Sequence, residues 1–423
     1  MIMDSDSARG INRRRLLGWG GLAAGMVAGA PLLGAQLGNA SAATDPGPSG
    51  DDRIPPGTRP GGAYDRYVAK LAAEGQFSGV VLLSHRGRTV LSRSYGLADR
   101  EKGIANGESI AVSLSSAGIP LCAVAILQLA QQGKVQLSDP VGAHLTGFAK
   151  DIAEQVTIHH MFVGTSGLIT PDDDDQRIFT SKDEVQQYYA QWTRQATLGF
   201  TPGTGLDNHS GATFMIPVQI VEAVTGQTYW DYVQDNIFGR CGMTGSAFYT
   251  RPQWLTDEHI AHNYMLQADG SWVDAVRNLD KSSEDPNQLG KNPGRSFIDY
   301  DGFATAADLV RFAHGLSDGT VLARPYADLL TGAKMPLPPQ VGNGPMSPAD
   351  SAPADSSFAA YLMAVDIVNG QWQFERAGVN PGSVASWSIY PDTGWVGVIL
   401  GNQDGSPLQD MTEQETKAVT GGH

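Results

Sequence analysis

A serine at the start of a helix is the first group in this sequence that could do chemistry. Ser116 is followed by the segment 117–120, which ends in Pro120. Because proline fits only the first turn of a helix, the sequence predicts a helix that begins near Ala117, with Ser116 at its N-terminus. There the hydroxyl lies at the positive end of the helix dipole, close to free backbone N–H groups. This position suits a nucleophile or an anion site, and it equally suits an ordinary N-cap serine.

A second candidate group is the guanidinium of Arg376, which lies in a segment of alternating character. Trp372, Phe374 and Arg376 fall on one face of a predicted strand. Gln373 and Glu375 fall on the other face. The aromatic neighbours predict that Arg376 points toward the core or a cleft, where it could hold an anionic group. A surface arginine is the alternative.

Strand patterns stand at both ends of the chain, and helical patterns lie between them. The sequence predicts a β-hairpin over 79–91 and an apolar, therefore buried, helix over 121–130. The clearest further helices are Ser210–Thr225 and Thr228–Phe238. Four strand-like runs close the chain: Tyr361–Val368, Gln371–Ala377, Ala385–Tyr390 and Trp395–Gly401.

This order predicts an α/β (α+β) fold in which the N-terminal and C-terminal strands share one antiparallel sheet. Helices flank the sheet, and an all-helical lobe is inserted between its two parts. The predicted boundaries are 63–112 and 301–423 for the sheet lobe and 113–300 for the helical lobe. A cleft at the join between the lobes is the expected place of a site.

The first 42 residues resemble an export signal. The segment 12–17 reads N-R-R-R-L-L, an uncharged run follows over 16–43, and Ala40-Ser41-Ala42 forms an A-x-A cleavage pattern. We therefore expect a twin-arginine-type signal peptide over 1–42, a flexible linker over 43–62, and a mature protein that acts outside the cytoplasm. A membrane anchor is the alternative for the uncharged run.

Composition excludes several classes of protein. The 423 residues carry a formal charge of −15, which argues against a nucleic-acid binder because phosphate contacts need a basic surface. Two cysteines cannot make a disulfide scaffold in a chain of this length. The length and the 41% hydrophobic content suit a large two-lobed body with a buried core.

Long stretches of the chain resemble a known family. They include FSGVVLLSHRGRTVLSRSYGLAD (77–99), AVAILQLAQQGKVQLSDPV (123–141) and NPGSVASWSIYPDTGWVGVILGNQDG (380–405). On these segments, residues 63–403 resemble the serine β-lactamase and penicillin-binding-protein superfamily, in particular the branch of class C β-lactamases and related serine hydrolases. The resemblance implies the β-lactamase-like fold and three catalytic motifs: S-x-x-K, Y-x-N (or S-x-N) and K/H-x-G.

The first of these motifs is altered here. It falls on Ser116 and Ile119, so that the serine is kept and the lysine is replaced. Residues i and i+3 share a helix face, and the family's lysine accepts the serine proton from that position. Isoleucine cannot accept a proton. The resemblance also implies an oxyanion hole formed by the backbone N–H groups of Ser116 and Val379.

The second motif is altered as well, and its alignment is open. With a one-residue shift, the family's tyrosine becomes His209 and its asparagine becomes Gly211; without the shift, Asn208 takes the tyrosine position. His209 could then serve as the base for Ser116, since imidazole titrates near neutral pH. A structural or solvated histidine is the alternative.

The third motif falls on Arg376 and Gly378, with arginine in place of lysine or histidine. The resemblance therefore makes Ser116, His209 and Arg376 the candidate catalytic residues. It places these residues at the substrate: Ile119, Asn208, Ser210, Gly378 and Val379.

Three functions remain open from the sequence. The first is a repurposed enzyme that acts on an acidic small molecule by cyclisation, isomerisation, elimination or rearrangement. In that enzyme Arg376 would bind a carboxylate or enolate, and His209 would be a hydrogen-bond donor or an acid/base. The second is a serine hydrolase or acyltransferase that uses Ser116 with His209. The third is a non-catalytic ligand-binding protein. We expect no cofactor, no metal, no nucleic-acid partner and no stable membrane span after signal cleavage.

Overall fold

The computed structural model describes residues 54–207, 211–286, 288–337 and 356–421. The predicted signal peptide and the start of the predicted linker lie outside the described residues. The helices of the described part are α1 (Ala63–Ala73), α2 (Pro120–Gln131), α3 (Lys150–Gln155), α4 (Ile158–Phe162), α5 (Lys182–Thr193), α6 (Ala212–Thr225), α7 (Tyr229–Val233), α8 (Gly239–Cys241), α9 (Arg251–Thr256), α10 (Ala306–Ser317), α11 (Arg324–Thr331) and α12 (Leu408–Thr420).

The strands of the described part are β1 (Gly79–His85), β2 (Arg88–Tyr95), β3 (Leu97–Asp99), β4 (Ile104–Ala105), β5 (Val112–Ser113), β6 (Leu168–Ile169), β7 (Thr197–Leu198), β8 (Tyr264–Leu266), β9 (Trp272–Asp274), β10 (Phe303–Ala304), β11 (Met335–Pro336), β12 (Ser356–Ala359), β13 (Ala364–Val368), β14 (Gln371–Asn380), β15 (Ser383–Tyr390) and β16 (Trp395–Gly401).

One eight-stranded antiparallel sheet joins the two ends of the chain. Its strand order is β11-β12-β13-β14-β15-β16-β1-β2. The N-terminal strand β1 pairs with β16 along its whole length, from Gly79 opposite Gly401 to His85 opposite Trp395. This pairing confirms the predicted sheet, which is built from strands at both ends of the chain with helices between them.

The two central strands show why helices must cover both faces of this sheet. All seven residues of β1 and all seven of β16 are buried. On one face they pack against α1 and α12, around Tyr64, Val68 and Met411. On the other face they join the larger core, which contains α2 and α10. The fold is therefore the predicted α/β arrangement, an antiparallel sheet flanked by helices.

Helix α2 is the centre of the larger core. Its first ten residues, from Pro120 to Leu129, are all buried. An apolar surface on every side of a helix is stable only when other elements surround it. The helices α6 and α11 pack against α2, as the uniform hydrophobicity of its sequence predicts.

Residues 54–62, the end of the predicted flexible linker, pack against the rest of the described protein. A short 3₁₀ helix spans Pro56–Thr58, and Thr58 is completely buried. Gly57 lies against Ala418 of α12, where an added Cβ would come within 3.3 Å of the Ala418 Cα atom. The proline- and glycine-rich composition here serves tight packing against the C-terminal helix. Within the described residues, no helix is long and apolar enough to cross a membrane.

Candidate active site

Ser116 lies in a short 3₁₀ turn that joins β5 to α2. The turn spans Ser115–Gly118, and the backbone of Ser115 has φ of +50°. A non-glycine residue in this left-handed region is strained and needs support from its surroundings. Ser115 has that support, because it is fully buried and its Oγ lies 3.1 Å from the Oγ of Ser383 in β15. With Ser115 held inward, Ser116 is half-buried at the surface of the turn.

The helix starts later than the sequence predicts. We expected a start near Ala117, with Ser116 as nucleophile or as N-cap. In the structure α2 begins at Pro120, its N-cap is Ile119, and no side chain caps either the turn or the helix. Among the described residues none hydrogen-bonds to the Oγ atom of Ser116. The ordinary N-cap role is therefore not the one that Ser116 fills.

Two side chains of the sheet bind the carbonyl groups of this turn. Arg376 of β14 donates a hydrogen bond of 2.9 Å from Nε to the carbonyl oxygen of Ser116. Trp387 of β15 donates a bond of 2.9 Å from Nε1 to the carbonyl oxygen of Ala117. Arg376 thus points inward, and it lies directly at Ser116.

Strand β14 passes close to the turn with one edge free of other strands. Its pairing with β13 ends at Glu375, so that only β15 pairs with the following residues, 376–380. Gly378 lies so near the turn that an added Cβ would be 2.5 Å from the backbone nitrogen of Ser116. The glycine is needed for this close approach of two backbones. Val379 follows at the free edge and is 44% exposed.

We expect Gly378→Ala to separate β14 from the Ser116 turn. The added methyl would lie 2.4 to 2.7 Å from backbone atoms of Ser116, Ala117 and Leu114. Backbone atoms cannot move aside as the end of a flexible side chain can. Overpacking of this kind costs about 1–3 kcal/mol, measured as the free energy of unfolding in urea. Gly107→Ala is the matched control, because nothing lies within 4 Å of its added Cβ. Equal stability of the two variants would contradict this account of Gly378.

The charge of Arg376 is only partly compensated by the protein. Burial lowers the pKa of its guanidinium from the ordinary value, and the carboxyl group of Asp301 opposes that shift. Among the described residues, Arg376 has no carboxylate within ion-pair distance, and its two terminal nitrogens have no hydrogen-bond partner. Donors suited to an anionic group are therefore left without an acceptor beside Ser116.

No lysine amine replaces the one that is missing from position 119. Ile119 is half-buried, three residues beyond Ser116. Within the described part of the chain, no lysine hydrogen-bonds to Ser116. Lys334, which precedes β11 of the same sheet, donates to the carbonyl oxygens of Leu329 and Gly332 instead.

Asp301 is a residue at the site that the sequence did not reveal. It packs against the turn, since a Cβ on Gly118 would lie 1.9 Å from the Asp301 carbonyl oxygen. Its Oδ1 atom is out of contact with solvent and has no hydrogen-bond partner among the described residues. Burial and the neighbouring Asp299 raise the pKa of Asp301 well above its ordinary value. No local pattern marks this carboxyl group, because only the fold brings it to Gly118.

The residues of the second predicted motif cannot be placed. Asn208, His209 and Ser210 lie outside the described residues. Gly211, the predicted counterpart of the family's asparagine, is the N-cap of α6 and packs on the ring of Trp192. The roles of His209, Asn208 and Ser210 therefore stay predictions.

The family model described as Beta-lactamase matches residues 64–420. The chain belongs to the beta-lactamase family. This assignment agrees with the resemblance found in the sequence. It also covers the Ser116 turn, both strands that bind it, and the whole eight-stranded sheet.

One curated protein and two solved structures illustrate what this chain is similar to. The chain is 30% identical to PbpX of Bacillus subtilis over 194 residues, which are 44% of this chain and 45% of PbpX. The chain thus matches about half the length of this curated relative. Among solved structures, a penicillin-binding protein from Bacillus halodurans aligns with a TM-score of 0.64 at 23% identity, over 82% of this chain and 97% of that chain. The D-amino acid amidase of Ochrobactrum anthropi SV3 aligns with a TM-score of 0.63 at 16% identity, over 85% of this chain and 99% of that chain. At these identities the two structures show the shared fold.

Proposed function

We propose that this member of the beta-lactamase family is an exported enzyme that acts on an acidic small molecule without a lysine-activated acyl-enzyme. The observation that carries the proposal is the hydrocarbon side chain of Ile119 beside Ser116. Cyclisation, isomerisation, elimination or rearrangement are the reaction types that suit such a site, since they need orientation and exclusion of water more than an activated nucleophile. A secondary metabolite is the substrate class we propose.

The reason lies in the chemistry of serine. A serine hydroxyl is a weak nucleophile that needs an adjacent base before it attacks a carbonyl group. Removal of one member of such a catalytic set costs about 10³- to 10⁶-fold in rate. Ser116 keeps its place and its backbone N–H, but no base among the described residues contacts its hydroxyl.

Arg376 is the residue that would bind the substrate. Its Nε atom is held by the Ser116 carbonyl oxygen, so the guanidinium plane has a fixed position. The open terminal nitrogens can form two parallel hydrogen bonds to one carboxylate or enolate-bearing group. A substrate bound in this way lies beside Ser116, Ile119 and the exposed Val379.

A serine hydrolase or acyltransferase is the second candidate. Membership of a family of serine hydrolases favours it, and so does the half-buried Ser116, whose backbone lies against Gly378 of β14. In that case His209 would act as the base, with the Ser116 and Val379 N–H groups as oxyanion donors.

A covalent-labelling experiment separates the two candidates. The protein is incubated with a fluorescent penicillin or with a fluorophosphonate, and its intact mass is measured. We expect no adduct at Ser116, because no described residue offers its hydroxyl a proton acceptor and isoleucine stands in place of the lysine at position 119. Ser116→Ala is the control for labelling elsewhere. A stoichiometric adduct on Ser116 that Ser116→Ala abolishes would overturn the first proposal in favour of the hydrolase.

A further inference from the structure

A glutamate stands in the middle of the buried face of the C-terminal helix α12. The helix buries five residues on one side: Leu408, Met411, Glu415, Ala418 and Val419. Their spacing is that of the apolar stripe of an amphipathic helix, and four of the five are apolar. Glu415, at the centre of the stripe, is 1% exposed. The interface of α12 therefore carries a carboxyl group at a position where an apolar side chain would be more stable.

The sheet has a space that matches this carboxyl group. Gly397 lies inside β16, a strand whose seven residues are all buried. A Cβ added to Gly397 would overlap with the carboxyl atoms of Glu415. Glycine weakens the interior of a strand, because it has no side chain to pack. Here the absence of a side chain is what makes room for the carboxyl group. We call this place, Gly397 with Glu415 above it, the Glu415 niche.

A second carboxyl group stands in the same row of the sheet. Glu375 of β14 pairs with Ser388 of β15, and Ser388 pairs with Gly397 of β16. Residues directly opposite each other on neighbouring strands point to the same face of a sheet. Glu375 and Glu415 therefore share the layer between the sheet and α12.

Few donors are available to a charged form of either carboxyl group. Tyr390 donates to Oε1 of Glu415 over 3.5 Å, and its hydroxyl also lies 3.1 Å from Oγ1 of Thr416. Gln373 donates from Nε2 to Oε2 of Glu375 at 3.1 Å, and the same nitrogen lies 3.2 Å from the Tyr390 hydroxyl. A buried carboxylate needs several donors or a cation to offset its loss of hydration. These partners suit the protonated form instead.

The other titratable groups that face this pair are themselves acids: Asp366 of β13, Tyr390 of β15 and Tyr64 of α1. The strand β16 and the 3₁₀ helix Pro56–Thr58, which also pack on α12, carry no titratable side chain. In the described part of the chain, neither carboxyl group has a lysine, arginine or histidine within ion-pair distance. Burial accordingly raises the pKa of Glu415 to about 8 and the pKa of Glu375 to about 7.

Helix α12 can separate from the sheet without breaking a strand pair. It packs on α1, on the 3₁₀ helix Pro56–Thr58 and on one face of β15 and β16. The backbone hydrogen bonds of β16 go to β15 and β1, and they do not depend on α12. An element near a chain terminus that is held by side-chain packing opens locally at a lower free energy than the whole protein.

We propose that the Glu415 niche is a pH-sensitive latch: its protonated carboxyl groups hold α12 on the sheet, and loss of the protons favours separation of α12 while the sheet stays folded. In the open state Glu415 contacts water and ionises near its ordinary pKa of 4.5, whereas in the closed state it keeps its proton up to about pH 8. Opening therefore becomes easier as the pH rises between these values. The latch concerns α12 and stands apart from the chemistry at Ser116.

Amide hydrogen exchange of the full chain, followed by mass spectrometry at about pH 5.5 and about pH 7.5, tests the latch. The quantity compared is the protection factor, the intrinsic exchange rate at each pH divided by the observed rate, so that the direct effect of pH on exchange cancels. Peptides from α12 are compared with peptides from α10, which packs on the opposite face of the same sheet.

Three variants complete the experiment. Glu415→Gln and Glu415→Met remove the titration and keep a side chain of similar length. Glu413→Gln, at an exposed position of the same helix, is the matched control. Thermal unfolding of each variant shows whether it is folded.

We expect the protection of α12 to fall by at least about 10-fold between the two pH values, since one group that loses its proton on opening changes the opening equilibrium by up to about 10-fold per pH unit. The protection of α10 should stay constant. Glu415→Gln and Glu415→Met should each lose the pH dependence, and Glu413→Gln should keep it. Constant protection of α12, an equal fall in α10, or an unchanged fall in a folded Glu415 variant would each contradict the latch.

Discussion

Ile119→Lys should raise the rate at which Ser116 forms a covalent adduct with a fluorophosphonate by at least about 10²-fold. The substitution places an amine three residues beyond the hydroxyl, on the same side of the turn. Arg376 lies beside the same turn, and a neighbouring cation favours the neutral form of an amine, which is the form that accepts a proton. The measurement is the time course of adduct mass, compared with that of the unmodified protein.

Two variants control this experiment. Ile119→Arg introduces a cation of similar length that cannot give up its proton, so it should leave the labelling rate unchanged. Ile119→Lys combined with Ser116→Ala should lose the adduct. An unmodified protein that reacts as fast as Ile119→Lys would show that Ser116 already has a base, and the proposed function would fail.

Glu415→Gln should stabilise the protein at high pH and do little at low pH. Glu415 of α12 is fully buried over β16, where a Cβ on Gly397 would lie 2.0 Å from its Oε1 atom. Burial raises the pKa of Glu415 to about 8, the nearby hydroxyl of Ser388 opposes the shift, and Glu375 adds to it. Burial likewise raises the pKa of Glu375 to about 7.

The sign of the pH dependence follows from these shifts. In the unfolded chain Glu415 ionises near its ordinary pKa of 4.5, whereas in the folded protein it stays protonated up to about pH 8. The unfolded state therefore gains relative to the folded state as the pH rises between these values. The titratable groups that face Glu415 are Glu375 of β14, Tyr390 of β15 and Tyr64 of α1.

The measurement is the free energy of unfolding in urea at about pH 5.5 and about pH 8.5. Glu415→Gln keeps the shape of the side chain and removes the titration, so its gain in stability should grow by about 2–4 kcal/mol between the two pH values. Glu413→Gln, an exposed glutamate on the same helix, should show no such growth. A gain that is the same at both pH values would mean that Glu415 is not the titrating group.

The sheet and the central helix were predictable because their signals are local. Residues 79–91 form two strand-like runs around a short turn, and the structure has the hairpin of β1 and β2 there. The run 121–130 is apolar at every position, and α2 is buried all round. Both patterns depend only on which neighbours a side chain has along the sequence, so no long-range information was needed.

The start of α2 was harder to predict. Pro120 correctly indicated the first turn of a helix, but the preceding turn depends on Ser115 in a left-handed conformation. The contact that supports this conformation is with Ser383, which is 268 residues away. A serine in sequence gives no sign that it will adopt a positive φ, because the supporting partner is known only once the sheet has formed.

The sequence by itself determined the fold family, the hydrocarbon at position 119 and the inward face of Arg376, since each is a matter of residue type at a fixed local spacing. Only the tertiary structure decided that Arg376 binds the Ser116 carbonyl oxygen across 260 residues and that Asp301 lies against Gly118 with an unpartnered carboxyl oxygen. The physical reason is that charge compensation and hydrogen bonding depend on which groups the fold brings together in space. A local pattern of hydrophobicity does not specify these partners.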